Sequence, residues 1–408
     1  MKLLRQRIFR KRGRRVALLI ESSRAYGRGL FLGIAKFVRE HHEWSVQSEE
    51  WKWTDSFPIW LKNWDGDGII ARVETTEMAV FIKRLKVPAV DLRGSVSGFG
   101  FPLIDTDDQK VAYLAAEHLI NRGFRHYAFC GFLGANYSDK RSRWFQERLA
   151  QSGFQCHVYH PPTRTLAAQT IEYEKKGLLF QEDLSRWLVS LPKPIGVMAC
   201  NDIRGQHVLN LCRQLGLAVP EEMAVIGMDN DEILCELSDP PLSSVMPDTF
   251  RIGYDAAVLL ERMMAGGKSP AKPIHIPPLG IVTRRSTEVL ALADRQLAVG
   301  LRFIRDHAFD PITITEVAKV TGMCRRVFER RFAAQMGRSP KAEVLRLRLE
   351  RVKQLLTDTD WNLAQIAERT GFNYAEYLHT VFTQKTGITP GEFRKQAELS
   401  CRGRFRLA

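Results

Sequence analysis

Short apolar runs rich in Val, Ile and Ala recur through the first 288 residues, and helix-like stretches separate them. VALLI at 16–20 precedes GRGLFLGIAKFVREH, in which Leu30, Ile34, Phe37 and Val38 fall on one helical face. GDGIIAR, VPAVDLRG, HYAFCGF, IGVMACND and MAVIGMDND are further runs of this kind. Helical stretches such as EMAVFIKRL, VAYLAAEHLINRG and GQHVLNLCRQLG lie between them. A strand that is apolar from end to end is buried on both faces, as in a parallel sheet covered by helices. Six or more such units exceed one half of a doubly wound sheet, so residues 16–288 are expected to form two α/β lobes. Ligands of such sheets bind at the carboxyl ends of the strands, so the polar residues just beyond each run are the candidates for a site.

After Glu288 the strand-like runs stop and apolar residues fall at helical spacing. A repeat replaces them. Val317, Ala318 and Gly322 recur as Ile366, Ala367 and Gly371, 49 residues later. Phe328, Phe332, Gly337, Ser339 and Pro340 recur as Leu378, Phe382, Gly387, Thr389 and Pro390, 50 residues later. Each copy reads as a helix, a glycine turn and a second helix whose apolar residues, four apart, anchor it in a core. The other face of that second helix is free to enter a major groove.

Charge points the same way. Residues 289–408 carry 21 Lys and Arg against 13 Asp and Glu, and residues 1–15 carry 8 basic residues and no acidic one. The 273 residues between carry 31 basic and 33 acidic. A near-neutral body with basic ends fits a chain that meets a polyanion at one end. The seven cysteines are scattered, with no CxxC spacing, so free thiols in a reducing compartment are expected. No run of 18 apolar residues occurs, and VALLI is too short for a signal-peptide core. The chain is therefore expected in the cytoplasm, without a membrane partner. No glycine-rich phosphate loop, nucleophile elbow or metal-ligand pair is present, so no catalytic residue, cofactor or metal is expected.

Residues 296–395 resemble the DNA-binding domain of the AraC/XylS family. IAERTGFNYAEYLHTVFTQKTGITPGEFR matches that signature at Ile366, Ala367, Gly371, Phe372, Tyr377, Phe382, Gly387, Thr389, Pro390, Phe393 and Arg394. The two helix-turn-helix segments are placed at about 313–333 and 362–383. With Phe328 and Phe332 inward, Arg325, Arg326, Glu329 and Arg330 lie on the outer side of the first reading helix. The resemblance implies base-edge contacts at Arg326, Glu329 and Arg330; Arg forks onto guanine and Glu accepts from cytosine. For each Arg alone, a phosphate clamp or a solvated charge remains open. The matching outward set on the second helix is Ala375, Glu376, His379 and Thr380. Arg331 and Arg348 are expected to meet phosphate or an acidic neighbour.

Residues 16–288 resemble the effector domain of LacI/GalR regulators, which shares the fold of periplasmic sugar-binding proteins. The matching stretches are IDTDDQKVAYLAAEHLINRGFRHYAFCGF, VMACNDIRGQHVLNLCRQLGLAVPEEMAVIGMDND and PPLSSVMPDTFRIGYDAAVLLERM. That family carries its DNA-binding helices ahead of the sensor, whereas fifteen residues precede the first strand here, so DNA reading is expected in the C-terminal repeat. The resemblance implies a small sugar effector, with a pentose such as xylose the first candidate, a homodimer on duplex DNA, and contact with RNA polymerase as a further partner. Asn201 and Asp229 are implied to bind sugar hydroxyls, and Asp202 has an equal claim as a helix cap. Arg141 or Arg143 occupies the place of a sugar-binding Arg. Tyr26 and Arg28 follow the first strand and could reach the cleft, although Arg28 could equally be a solvent or phosphate residue at a helix start. Asp107 is expected to cap a helix. Trp51, Trp53, Trp60 and Trp64 are aromatic platforms in principle, and none is singled out. The organisation expected is a basic segment at 1–15, a two-lobed sensor at 16–288 and an all-α reader at 289–408. The alternative is a sensor that binds no sugar and serves as a dimerisation or protein-interaction module.

Overall fold

Four parallel strands build the first sheet of the computed structural model, which describes residues 13–41, 44–49, 59–161, 181–288 and 294–395. They are β1 (Arg14–Leu19), β2 (Trp44–Ser48), β3 (Gly68–Ala71) and β4 (Ala89–Asp91), in the spatial order β2-β1-β3-β4. Beyond β4 an Asp91–Leu103 bridge leads to β5 (Ile104–Thr106), which pairs in parallel with β11 (Ile274–Ile276). The second sheet contains β6 (His126–Cys130), β7 (Cys156–Val158), β8 (Ile195–Ala199), β9 (Met223–Met228), β10 (Ser243–Met246) and β12 (Gly280–Val282). Its order is β12-β10-β9-β8-β6-β7, parallel except for the antiparallel β12. The two sheets are the centres of two lobes with separate apolar cores.

The chain crosses between lobes three times, after β5, after β10 and between β11 and β12. The first crossing enters α3 (Asp108–Ile120), which Asp107 caps by accepting from the Lys110 N–H at 3.0 Å. The second enters α8 (Thr249–Met264), which returns to pack against α1 (Ala25–His41). Glycine permits that packing. A Cβ on Gly33 would lie 2.0 Å from the Phe250 carbonyl oxygen, and one on Gly253 would lie 2.1 Å from that of Leu30. The two helix backbones touch there, which accounts for Gly33, the last glycine in GRGLFLG. In each sheet the strand order reverses once, between β1 and β3 and between β6 and β8. The crevices beyond those two points are where an open parallel sheet binds ligand.

Residues Met1–Val289 and Leu290–Ala408 form two separate units. The second is all helix among its described residues: α9 (Arg295–His307), α10 (Ile314–Val320), α11 (Arg325–Met336), α12 (Pro340–Asp358), α13 (Leu363–Arg369) and α14 (Ala375–Thr386). Capping boxes, Thr313 with Glu316 and Asn362 with Gln365, start α10 and α13. Gly322 and Gly371 then turn the chain at φ +71° and +73°, where only glycine is unstrained. Phe328, Phe332 and Phe382 are fully buried, and so anchor α11 and α14. Truncating any one of them to Ala would cost about 3–5 kcal/mol.

Candidate functional site

The carboxyl ends of both sheets bring polar side chains together between the lobes. Tyr26, in the first turn of α1, is buried and donates to Asp105 Oδ1 at 3.1 Å, with Thr106 Oγ1 at 2.9 Å. The Arg72 guanidinium, one residue past β3, stacks over the Tyr26 ring at 4.9 Å. Arg93, past β4, pairs with Glu74 at 2.7 Å and lies over the Tyr137 ring at 4.6 Å. From the second lobe, α4 (Asn136–Gln151) presents Tyr137 and Arg141. Arg141 is buried; its Nε donates to Asp108 Oδ1 at 2.7 Å and its Nη1 to the Cys200 carbonyl at 2.6 Å. Asn201 caps α6 (Asp202–Gln214) with its oxygen and donates from Nδ2 to Tyr137 Oη at 3.3 Å.

Asp229 follows β9 at φ 113°, a conformation that costs any residue but glycine. Its neighbours enforce it. The Asp229 N–H donates to the Val245 carbonyl at 3.1 Å, the Asn230 N–H to Ser244 Oγ at 3.0 Å, and the Asp231 N–H to Asp202 Oδ2 at 2.8 Å. Ser244 in turn donates to Asp202 Oδ1 at 2.6 Å. Asp202 therefore spends both oxygens inside the lobe, fully buried, and holds the loop that carries Asp229. The cap of α6 is Asn201, so neither role weighed for Asp202 matches where it lies.

The electrostatics are those of a crowded site of buried polar groups. Burial, then the Asp105 charge, hold the Tyr26 phenol protonated far above its usual range. Burial, then Asp108, push the Asp105 carboxyl up; burial, then Asp229, do the same to Asp202. Burial opposes the Arg141 charge, but Asp108 and Asp229 outweigh it and keep the guanidinium protonated. Asp229 thus acts on Tyr26 from across the cleft and on Arg141 from its own side. Carboxylate, amide and guanidinium groups beside tyrosine rings match a polyhydroxylated ligand with an apolar face.

Of the residues singled out from sequence, Tyr26, Arg141, Asn201 and Asp229 come together here. Arg143 does not. It is exposed, stacks on Trp144 at 5.0 Å and lines a separate cavity with Asp139, Tyr159 and His160. Two residues along a helix turn a side chain by roughly 200°, so only one of the two arginines could face inward. Arg28 lies at the rim, bonded to the Ser22 and Ser23 carbonyls and 3.8 Å from Asp231. Arg72, Arg93, Asp105 and Tyr137 were missed. Arg72 and Arg93 follow strands, which was the one signal that could have found them; Asp105 lies inside β5 and Tyr137 on α4. Trp64 packs in the first-lobe core, Trp60 donates to Glu49, and Trp51 and Trp53 lie outside the described residues. Among the described residues no group of three or more His, Cys, Asp or Glu is placed to hold a metal ion.

In the helical unit Arg325, Arg326 and Arg330 are exposed on α11, and Glu329 is bound to Arg325 at 2.9 Å. Arg326 and Arg330, four residues apart, lie together on one side of that pair. On α14 Glu376, His379 and Thr380 are exposed and Ala375 is half-buried. Tyr374 and Tyr377 are also exposed there, which sequence reasoning did not single out as contact residues. Arg331 meets an acidic neighbour, Asp294. Arg348 is paired with no acidic side chain among the described residues. It donates to the carbonyls of Ala308, Asp310 and Gly371, and so ties the loop after α9 to the turn of the second helix-turn-helix segment.

Residues 15–116 match the XylR N-terminal domain, residues 116–287 the periplasmic binding protein-like domain and residues 317–396 the helix-turn-helix domain. Fold and matches define a DNA-binding transcription regulator of the AraC type with a sugar-binding, periplasmic-binding-protein-like domain. Within that class the chain belongs to the family of the xylose operon regulatory proteins. It is 30% identical over 399 residues to the xylose operon regulatory protein of Escherichia coli (strain K12), covering 95% of this chain and 98% of that one. It is 30% identical over 390 residues to that of Haemophilus influenzae, covering 93% and 98%. The structure of the xylose-binding transcription activator xylR superposes with a TM-score of 0.79 at 28% identity, covering 94% of this chain and 98% of that one. A LacI family regulator from Enterococcus faecium with bound ribose shares the fold of the sensor, with a TM-score of 0.54 at 19% identity over 68% of this chain and 99% of that one. No helix among the described residues is long and apolar enough to cross a membrane.

Proposed function

We propose that residues 16–288 bind a pentose, xylose first, between the lobes, and that the bound sugar controls how residues 289–408 engage DNA. The observation that carries this reading is the convergence of Tyr26, Arg72, Arg93 and Asp105 from one lobe with Tyr137, Arg141, Asn201 and Asp229 from the other. Both lobes contribute donors and acceptors there, beside two tyrosine rings that carry guanidinium groups over them. The relatives named for a xylose operon and for xylose binding support the choice of sugar. In this reading Arg326, Glu329 and Arg330 read bases from α11 with Arg325 beside them at the DNA, and Ala375, Glu376, His379 and Thr380 face the groove from α14. The chain acts without catalysis, in the cytoplasm, as a homodimer within reach of RNA polymerase. A ligand drives such a change only through a difference in affinity between two states. Calorimetric titration of the full chain with xylose, ribose, arabinose and glucose tests the sugar: saturable one-site heat is expected with xylose, and no heat with any of the four sugars overturns the reading.

A further inference from the structure

Asp231 stands two residues beyond Asp229 on the same strained loop, but it faces the other lobe. Its Oδ2 accepts from the Ala25 N–H at 3.3 Å, at the start of α1, and lies 3.8 Å from Arg28 Nη2. Its Oδ1 faces the Leu234 N–H, 3.5 Å away, at the start of α7 (Glu232–Leu237). Its own N–H is held by Asp202. The two oxygens therefore have different tasks: one serves the second lobe, and the other reaches a free amide and a cation of the first. A carboxylate at a helix start meets both the unpaired N–H groups and the positive end of the helix dipole. At the opposite side of the cleft, Asn136 Nδ2 donates to the Gly94 carbonyl. The lobes are thus joined at two separated rims, with the polar residues described above between them.

We propose that Asp231 is a positioning residue for the ligand: with Ala25 and Arg28 it forms a clasp that holds the lobes closed without touching the sugar. The sugar part of this inference rests on the function proposed above; the clasp itself does not. The loop from 229 to 231 couples the two events, because the backbone that presents Asp229 to the cleft also aims Asp231 at α1. Ligand contact at Asp229 and lobe closure at Asp231 then favour the same loop position. Affinity rises with the population of the closed form. Losing a charge-assisted bond and a half-exposed ion pair should weaken sugar binding about five- to tenfold.

The test is hydrogen exchange measured by mass spectrometry on the full chain, with and without saturating xylose, for wild type, Asp231→Ala and Arg28→Gln. Arg28→Gln leaves α7 and its loop untouched, so it remains informative if Asp231→Ala disturbs the second lobe. In the unliganded protein both variants should speed exchange at the start of α1 and also at the far rim around Gly94 and Asn136. Both should weaken xylose binding. Faster exchange confined to residues next to each substitution, with the far rim unchanged, overturns the clasp. If both rims respond as expected but xylose changes neither exchange nor heat, the clasp stands and the sugar assignment fails.

Discussion

Replacing Asp229 with Gly should make the unliganded sensor more stable and its cleft less able to bind sugar. At φ 113° a non-glycine residue carries strain of about 1–3 kcal/mol. Glycine removes that strain, and its extra freedom in the unfolded chain returns roughly 0.4–1 kcal/mol. The backbone balance is a gain of about 1 kcal/mol. Loss of the carboxylate relieves Asp202, which Asp229 pushes up, and removes an attraction for Arg141. Asp229→Ala loses the same carboxylate but keeps the strained backbone, so the Gly variant minus the Ala variant isolates the backbone alone. Charged hydrogen bonds contribute roughly 1.5–3 kcal/mol each, so both variants should lose xylose affinity about tenfold or more. Urea unfolding of the unliganded chain, followed at the transition of the sensor, gives the first quantity and calorimetry gives the second. Equal stability of the Gly and Ala variants would refute the strain argument. Equal xylose affinity of both variants and wild type would remove Asp229 from the site.

Further outcomes follow from other parts of the molecule. Residues 290–408 expressed alone should bind duplex DNA, with affinity falling steeply as salt rises; fluorescence anisotropy across a salt series checks this, and salt-insensitive binding would contradict it. Arg330→Ala should cost about 1–3 kcal/mol on a selected site and relax one base position, so an unchanged site from random-DNA selection would rule out direct readout by Arg330. His118 is buried against Thr287 at 2.8 Å, and burial, then Arg122, lower its pKa to about 3. The unfolded chain takes up that proton near the ordinary value of about 6.5, so the stability that rests on neutral His118 is complete above it and is lost as pH falls. The loss attributable to this group between pH 7 and pH 5 is about 2 kcal/mol. His118→Gln should flatten that slope in unfolding curves; an unchanged slope would mean that His118 does not titrate as described.

The strands were legible because they are buried on both faces. GIIA, HYAFC, IGVMA and MAVIGM coincide with strands β3, β6, β8 and β9, and VALLI overlaps β1 in all but its last residue. The reading helices were legible because Gly322, Gly371 and the paired Phe positions are needed wherever that turn is made. What stayed hidden depends on chain segments far apart in sequence. The return of α8 to α1 is enabled by Gly33 and Gly253, which are 220 residues apart. The stacking of Arg72 on Tyr26 and of Arg93 on Tyr137 also joins residues that are distant in sequence. Arg348 was expected to meet phosphate or an acidic neighbour because nothing local reveals that three carbonyls converge on it. Asp202 followed a strand like any ligand residue, and only Ser244, 42 positions on, and the Asp231 amide show that its oxygens are taken.

The central claim is that one small sugar controls DNA reading by this chain. The direct measurement is fluorescence anisotropy of the full chain on a DNA site selected from random sequence, at fixed salt, with xylose titrated from zero to saturation. Xylose should shift the DNA dissociation constant, and Asp229→Ala should move the midpoint of that shift to about tenfold higher sugar or beyond. An identical DNA affinity at zero and saturating xylose, in a protein whose calorimetry shows the sugar bound, would contradict the claim.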